Sequence, residues 1–245
     1  MKQHLLRALV APLAIVLLPG FIALNDLGFD PAKIQFDEKK YVIKEKPISF
    51  TAKRKKLTLA YIRKNYNRLT DEITIVPKLI VLHWTSCGSV EDAFGYFNRE
   101  TLQPDRGDIR QGGEVNVSAH YVVDRDGTIY RLMPDTLMAR HVIGLNHCAI
   151  GIENVGGPAY PLTDEQAEAN AWLINLLARQ HPSIERVIGH HEYLGLKDGP
   201  LWRSLDPKYV ARPRKDPGDA FMKNVRDRLQ EYAGEHHSME ISNEK

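Results

Sequence analysis

Apolar positions in this chain follow two periods. Residues 78–83 (KLIVLH) form a short unbroken apolar run, the pattern of a strand buried on both faces. Residues 120–124 (HYVVD) and 128–132 (TIYRL) flank Arg125-Asp126-Gly127, and Asp-Gly between two such runs predicts a hairpin. Residues 148–154 (CAIGIEN) and 186–189 (RVIG) read as two more short strands. Between them the period changes to that of a helix. Ser89 with Glu91 and Asp92 predicts a helix running to about Leu102. The capping box Thr163-Asp-Glu-Gln166 opens another, to about Gln180, with Trp172, Leu173, Leu176 and Leu177 facing the core. Residues 219–232 form a closing amphipathic helix, and 233–245 read as a loose tail. The expectation is an α/β fold with a central mixed β-sheet flanked by helices.

The amino-terminal third reads differently. Lys2 and Arg7 precede an apolar stretch at 8–24, near the lower limit of about 17–25 residues for crossing a bilayer. Residues 1–28 therefore read as a signal peptide or signal anchor outside the fold, which predicts an exported protein, periplasmic or anchored facing the periplasm or wall. Residues 29–70 read as a basic, extended lead-in, with ten Lys or Arg against Glu45 between 39 and 64. Such a strip is either a solvated face or a contact for anionic lipid or wall polymer. Residues 57–66 (LTLAYIRKNY) have helical spacing and predict a short docking helix.

Composition narrows the classes. Hydrophobic residues at 43% and charged residues at 26% exclude a disordered chain and a polytopic membrane protein. A net charge of +2 gives no pull toward nucleic acid. Two cysteines, Cys87 and Cys148, make neither a disulfide scaffold nor a four-thiolate zinc site; in an oxidising compartment they either pair or stay free buried thiols, the second being the preferred reading.

Chemistry-bearing residues gather at element ends. His83 ends its strand, His190 follows another, and Asp216 precedes the last helix. Two imidazoles and a carboxylate are the ligand set of an open catalytic zinc site, although a lone histidine at a strand end is more often a hydrogen-bonding residue than a ligand. His191 adjoins His190, and neighbours on an extended chain point opposite ways, so one of the two faces a metal. His147, His236 and His237 read as exposed.

The ordered motifs IVLHWTSCG, VSAHYVVDRDGTIYRL, ARHVIGLNHCAIGIENVG, VIGHHEY and KDPGDAF cover about residues 78–228. In that order they resemble the zinc-dependent N-acetylmuramoyl-L-alanine amidases of the phage-lysozyme and peptidoglycan-recognition-protein type (amidase type 2), which places an amidase domain at 71–232. The resemblance implies one zinc ion per chain on His83, His190 and Asp216, a catalytic Glu153, and His141 and Asn146 lining the groove for peptidoglycan or a muropeptide. It implies hydrolysis of the amide between the lactyl group of N-acetylmuramic acid and L-alanine. A peptidoglycan-binding module without catalysis, or a zinc hydrolase of another amide, are the alternatives. Two departures stand out. Many relatives carry a lysine two positions before the aspartate; here that residue is Arg214, with Lys215 beside Asp216, and either cation is assigned to electrostatic assistance. The 26 positions from His190 to Asp216 also exceed the usual loop. The insertion at 193–215 is expected either to fold over the cleft edge, with Trp202 stacking on sugar, or to remain a surface loop.

Overall fold

The computed structural model describes residues 23–243 except 28, 33 and 35; at 25 and 233–243 it describes the backbone alone. Six strands form one sheet in the order β1-β4-β3-β5-β2-β6: β1 (Ile43–Glu45), β2 (Leu79–Trp84), β3 (Tyr121–Val123), β4 (Ile129–Arg131), β5 (Ala149–Asn154) and β6 (Arg186–Gly189). All neighbours are parallel except the β3–β4 hairpin, where Gly127 takes the left-handed turn position at φ +82°. The sheet is mixed and flanked by helices, as its residue pattern predicts.

Buried strands β2 and β5 are adjacent interior strands of the sheet. Along β2, Ile80 and Leu82 enter one core, with α4 (Asp164–Gln180) and α5 (Asp219–Asn243). Leu79 and Val81 enter the opposite core, with Tyr61, Val142 and Leu145. This two-sided burial explains why β2 lacks an alternating polar face. A third cluster joins α2 (Val90–Phe97) to the hairpin through Phe97, Val122 and Leu132. Ser89 caps α2 as its sequence implies, but the helix ends at Phe97 rather than near Leu102. The capping box of α4 is present, with Thr163 and Gln166 bonded reciprocally.

The amino-terminal boundary moves. Residues 1–22 of the expected export segment lie outside the described residues, and no described helix is long and apolar enough to cross a membrane. Its last residues belong to the fold: Leu24 and Leu27 are buried beside α5, and the Leu24 amide donates to the Glu185 carbonyl at 3.0 Å. The 29–70 segment is likewise built in, not an extended lead-in. Phe36 and Tyr41 pack on Trp172, whose indole N–H donates to the Asp37 carbonyl at 2.8 Å, and β1 extends the sheet beside β4. Helix α1 (Ala52–Asn65) starts five residues before its predicted position, capped by Thr51. Several cations of the basic strip have protein partners: Lys40 with Glu168, Lys46 with Glu91, and Arg54 buried. At the other end, α5 runs to Asn243, so the expected loose tail has helical backbone to that point. His236 and His237 lie among residues whose side chains are not described.

Candidate active site

The carboxyl end of the sheet collects the chemistry. Parallel pairing sets Leu82 of β2 beside Gly189 of β6, so the next residues, His83 and His190, emerge together. Asp216, on the extended segment before α5, reaches the same point. His83 Nδ1 lies 3.1 Å from His190 Nδ1 and 3.2 Å from Asp216 Oδ2, and His190 Nδ1 is 2.9 Å from that oxygen. A tetrahedral zinc with ligands at about 2.0–2.1 Å spaces them about 3.3 Å apart, close to this triangle. Three potential acceptors at such distances repel unless a proton or a cation sits among them. Among the described residues this is the one group of three whose donor atoms converge so, and the donor set fits zinc.

Behind it, a chain of tautomers directs His83. His141 Nε2 faces the Ala149 carbonyl at 3.3 Å, which only accepts, so that nitrogen carries the proton. His141 Nδ1 then accepts from His83 Nε2 at 3.0 Å, leaving the His83 Nδ1 lone pair turned toward His190 and Asp216. Burial, followed by the neighbouring His83, lowers the pKa of both His141 and His190, the latter to about 4, and so holds both rings neutral. Burial pushes the Asp216 carboxyl up, but its bonds to His190 and His83 outweigh this and keep it well below the usual carboxylate range. A Cβ at position 151 would stand 2.8 Å from the His141 ring, so the glycine of GIEN makes room for this second layer.

Glu153 is in register with His83. It is buried, and its Oε2 has no partner among the described residues. Burial, then the Asp216 charge, raises its pKa well above the ordinary value, with Arg106 pulling it down. Strand β5 is pinned beneath it by Asn154, which donates to the His83 carbonyl at 3.0 Å and accepts from Asn170 at 2.6 Å.

His83, His190, Asp216 and Glu153 line a cavity of about 530 Å³ with Arg106 and Arg214. The other expected site residues are placed less simply. His141 reaches the cavity wall, but its polar atoms serve His83 and the backbone. Asn146 is buried and saturated: Oδ1 accepts from the amides of His141 and Val142, and Nδ2 donates to the Tyr61 and Tyr66 hydroxyls. It shapes the wall and has nothing left for a ligand. Arg214 faces the cavity whereas Lys215 is exposed and turned away, as alternation along an extended segment requires. Trp202 does not reach the cavity; its ring packs on Gly144 and, 6.0 Å away, Tyr193. From the same insertion Tyr209 does line it. His191 points away, to the Asp216 carbonyl and Asp219. His147 is half-buried against Tyr66 rather than exposed. Cys87 and Cys148 are free thiols.

Arg106, Tyr96 and Arg140 also line the cavity, and sequence reasoning missed all three. Arg106 lies in a turn-like PDRGD stretch outside any periodic segment. Arg140 is buried and donates to the carbonyls of Gly113 and Val115, at 2.9 and 2.6 Å, and of Ile109. The ARH string offers no cue for that role.

A profile of the N-acetylmuramoyl-L-alanine amidase family (Amidase_2) matches residues 74–219. No curated protein matches the chain. Among solved structures it is similar to a selenomethionine derivative of AmpD, at 22% identity over 79% of this chain and 98% of that one, with a TM-score of 0.46. It is similar to the N-acetylmuramoyl-L-alanine amidase LysC from Clostridium intestinale URNW, at 21% identity over 63% and 86%, TM-score 0.41. A third similarity is to the ectodomain complex of peptidoglycan recognition proteins LCa and LCx bound to tracheal cytotoxin, at 20% identity over 52% and 85%, TM-score 0.36.

Proposed function

The chain belongs to the N-acetylmuramoyl-L-alanine amidase family, and from that premise we propose that it is an exported zinc hydrolase cutting the amide between the N-acetylmuramic acid lactyl group and L-alanine in peptidoglycan. The observation that carries this reading is the convergence of His83, His190 and Asp216 beside the partnerless Glu153 oxygen in one cavity. His83 Nδ1, His190 Nδ1 and Asp216 Oδ2 would hold the metal. Bound zinc lowers the pKa of a water and polarises a carbonyl.

The protein's own groups do the rest. Glu153 Oε2 takes a proton from the attacking water and returns it to the departing amine; its burial suits a carboxyl that must hold a proton between those two events. Arg214 has a buried Nε without a partner among the described residues, and a permanent charge. It balances negative charge on the carbonyl oxygen but shuttles no proton. The apolar stretch at 8–24 supports export toward the wall.

Incubation of the purified protein with muropeptides, followed by mass spectrometry, should yield free peptide and intact sugar. Binding without cleavage would leave a recognition module instead. The protein should carry one zinc per chain, and His190→Ala should lose it; full retention would refute the ligand set. Glu153→Gln should keep the metal while hydrolysis falls at least 10²-fold.

A further inference from the structure

The insertion at 193–215 joins two of the three converging side chains, His190 and Asp216, and begins with a buried tyrosine. After β6 the chain turns into a short 3₁₀ helix, His190–Leu196. Residues three apart eclipse in that geometry, so the Tyr193 ring lies against that of His190, with centroids 5.1 Å apart. Tyr193 is fully buried. Trp202 packs on it at 6.0 Å and fits there because residue 144 is glycine, where a Cβ would stand 2.6 Å from the indole. The insertion then crosses α1 and α3 (Gly107–Arg110). The Leu205 amide donates to the Asn65 carbonyl at 2.9 Å, and Gln111 Nε2 donates to Asp206 at 3.3 Å.

Its return limb has little to hold it. Pro213 has no amide hydrogen. Among the described residues the backbone of 210–215 hydrogen-bonds to one group, the Tyr193 hydroxyl. That hydroxyl donates to the Arg212 carbonyl at 2.7 Å and accepts from the Arg212 amide at 2.9 Å. The next hold is at Asp216 itself, whose carbonyl accepts from the His191 amide at 2.8 Å. One attachment leaves an extended segment free to swing about it. A second, at Arg212, fixes its direction and with it the aim of the Asp216 side chain. A single tyrosine therefore meets both arms, its ring on His190 and its hydroxyl on the limb that carries Asp216.

We propose that Tyr193 is a positioning residue for the metal triangle, its hydroxyl holding Arg212 so that Asp216 Oδ2 stays at the point where His83 and His190 converge. This deepens the zinc reading above and rests on it. The insertion is then a buttress behind two ligands. Tyr193 touches neither metal nor substrate, so its loss acts on metal affinity.

Tyr193→Phe keeps the ring against His190 and Trp202 and removes the hydroxyl alone. In the purified full chain, competition with a chelating dye should show zinc bound about 10- to 100-fold more weakly than in wild type. Cobalt(II) in place of zinc reports the geometry: the visible absorption of a four-coordinate site should weaken in the variant, as a loosened carboxylate admits water. A lower urea midpoint of the zinc-free chain, with zinc affinity and cobalt spectrum unchanged, would make the hydroxyl an ordinary core group and overturn the proposal. If the variant does not fold, amide exchange in the zinc-free wild type decides. The Arg212 amide should exchange at least about 10-fold more slowly than those of Val210 and Lys215, and equal rates would mean that no clamp exists. Wild type that takes up no zinc would defeat the zinc reading and this proposal with it, whereas equal binding by wild type and variant defeats the role of Tyr193 alone.

Discussion

Which nitrogen of His83 carries the proton is decided two residues away. The Ala149 carbonyl sets the His141 tautomer, and His141 sets that of His83. Removing the ring of His141 leaves His83 free to rotate and to protonate at Nδ1. His141→Ala should therefore weaken zinc binding about 10- to 100-fold without touching a ligand, the usual cost of losing such a support. Competition with a chelating dye measures this, and unchanged affinity would remove His141 from the arrangement. His83 and His190 were legible as candidate ligands because each stands at the end of an apolar run, whereas Asp216, on the segment before α5, was singled out with the help of the family resemblance. The role of His141 was not, since it depends on the missing side chain of Gly151 across the sheet. Asn146 lines the cavity, as the resemblance implies, but its four hydrogen-bonding positions are all taken within the protein, which no sequence pattern shows.

At the scale of elements, periodicity found those whose buried faces are apolar. Strands β2 and β5, the hairpin and α4 all satisfy that condition, and their limits fall within a residue or two of the pattern. Helix α1 does not. Its buried side carries Arg54, Thr58 and Asn65 beside Tyr61 and Ile62, so its first turn reads as a charge run. Arg54 is buried there because its guanidinium donates to the carbonyls of Phe97, at 2.7 Å, and Arg99, which close the end of α2. Burial lowers its pKa against the opposing pull of the Glu100 charge, and its hydrogen bonds go to carbonyls. Arg54→Met keeps the apolar stem and leaves two carbonyls unpaired. A loss of about 1–3 kcal/mol is expected in urea unfolding, read as a lower midpoint with unchanged slope. A solvated lysine-rich face, the plainer reading of this strip, would show no change.

For the molecule as a whole, proton uptake on unfolding sets the acid limit. His147 lies half-buried on Tyr66, its ring centroid 4.9 Å from that of the tyrosine. Burial, then Arg203, then Lys78 lowers its pKa from 6.5 to about 4. His120 is shifted the same way by burial, and its Nδ1 accepts from the Gly151 amide. The folded pKa is below the unfolded one, so between them the unfolded chain binds more protons and stability rises with pH. The loss begins as pH falls below about 6.5 and, for His147, is complete near 4. Acid also strips a metal from protonated ligands, and this second loss must be separated from the first. His147→Phe keeps a ring on Tyr66 and cannot titrate. Measured by urea unfolding at pH 7 and pH 5, wild type should lose about 2 kcal/mol more than the variant over that interval, at 1.36 kcal/mol per pH unit below 6.5. Metal loss is common to both proteins and cancels in the difference. Equal losses would place the His147 ring in water and return it to the exposed position that its sequence neighbourhood suggests.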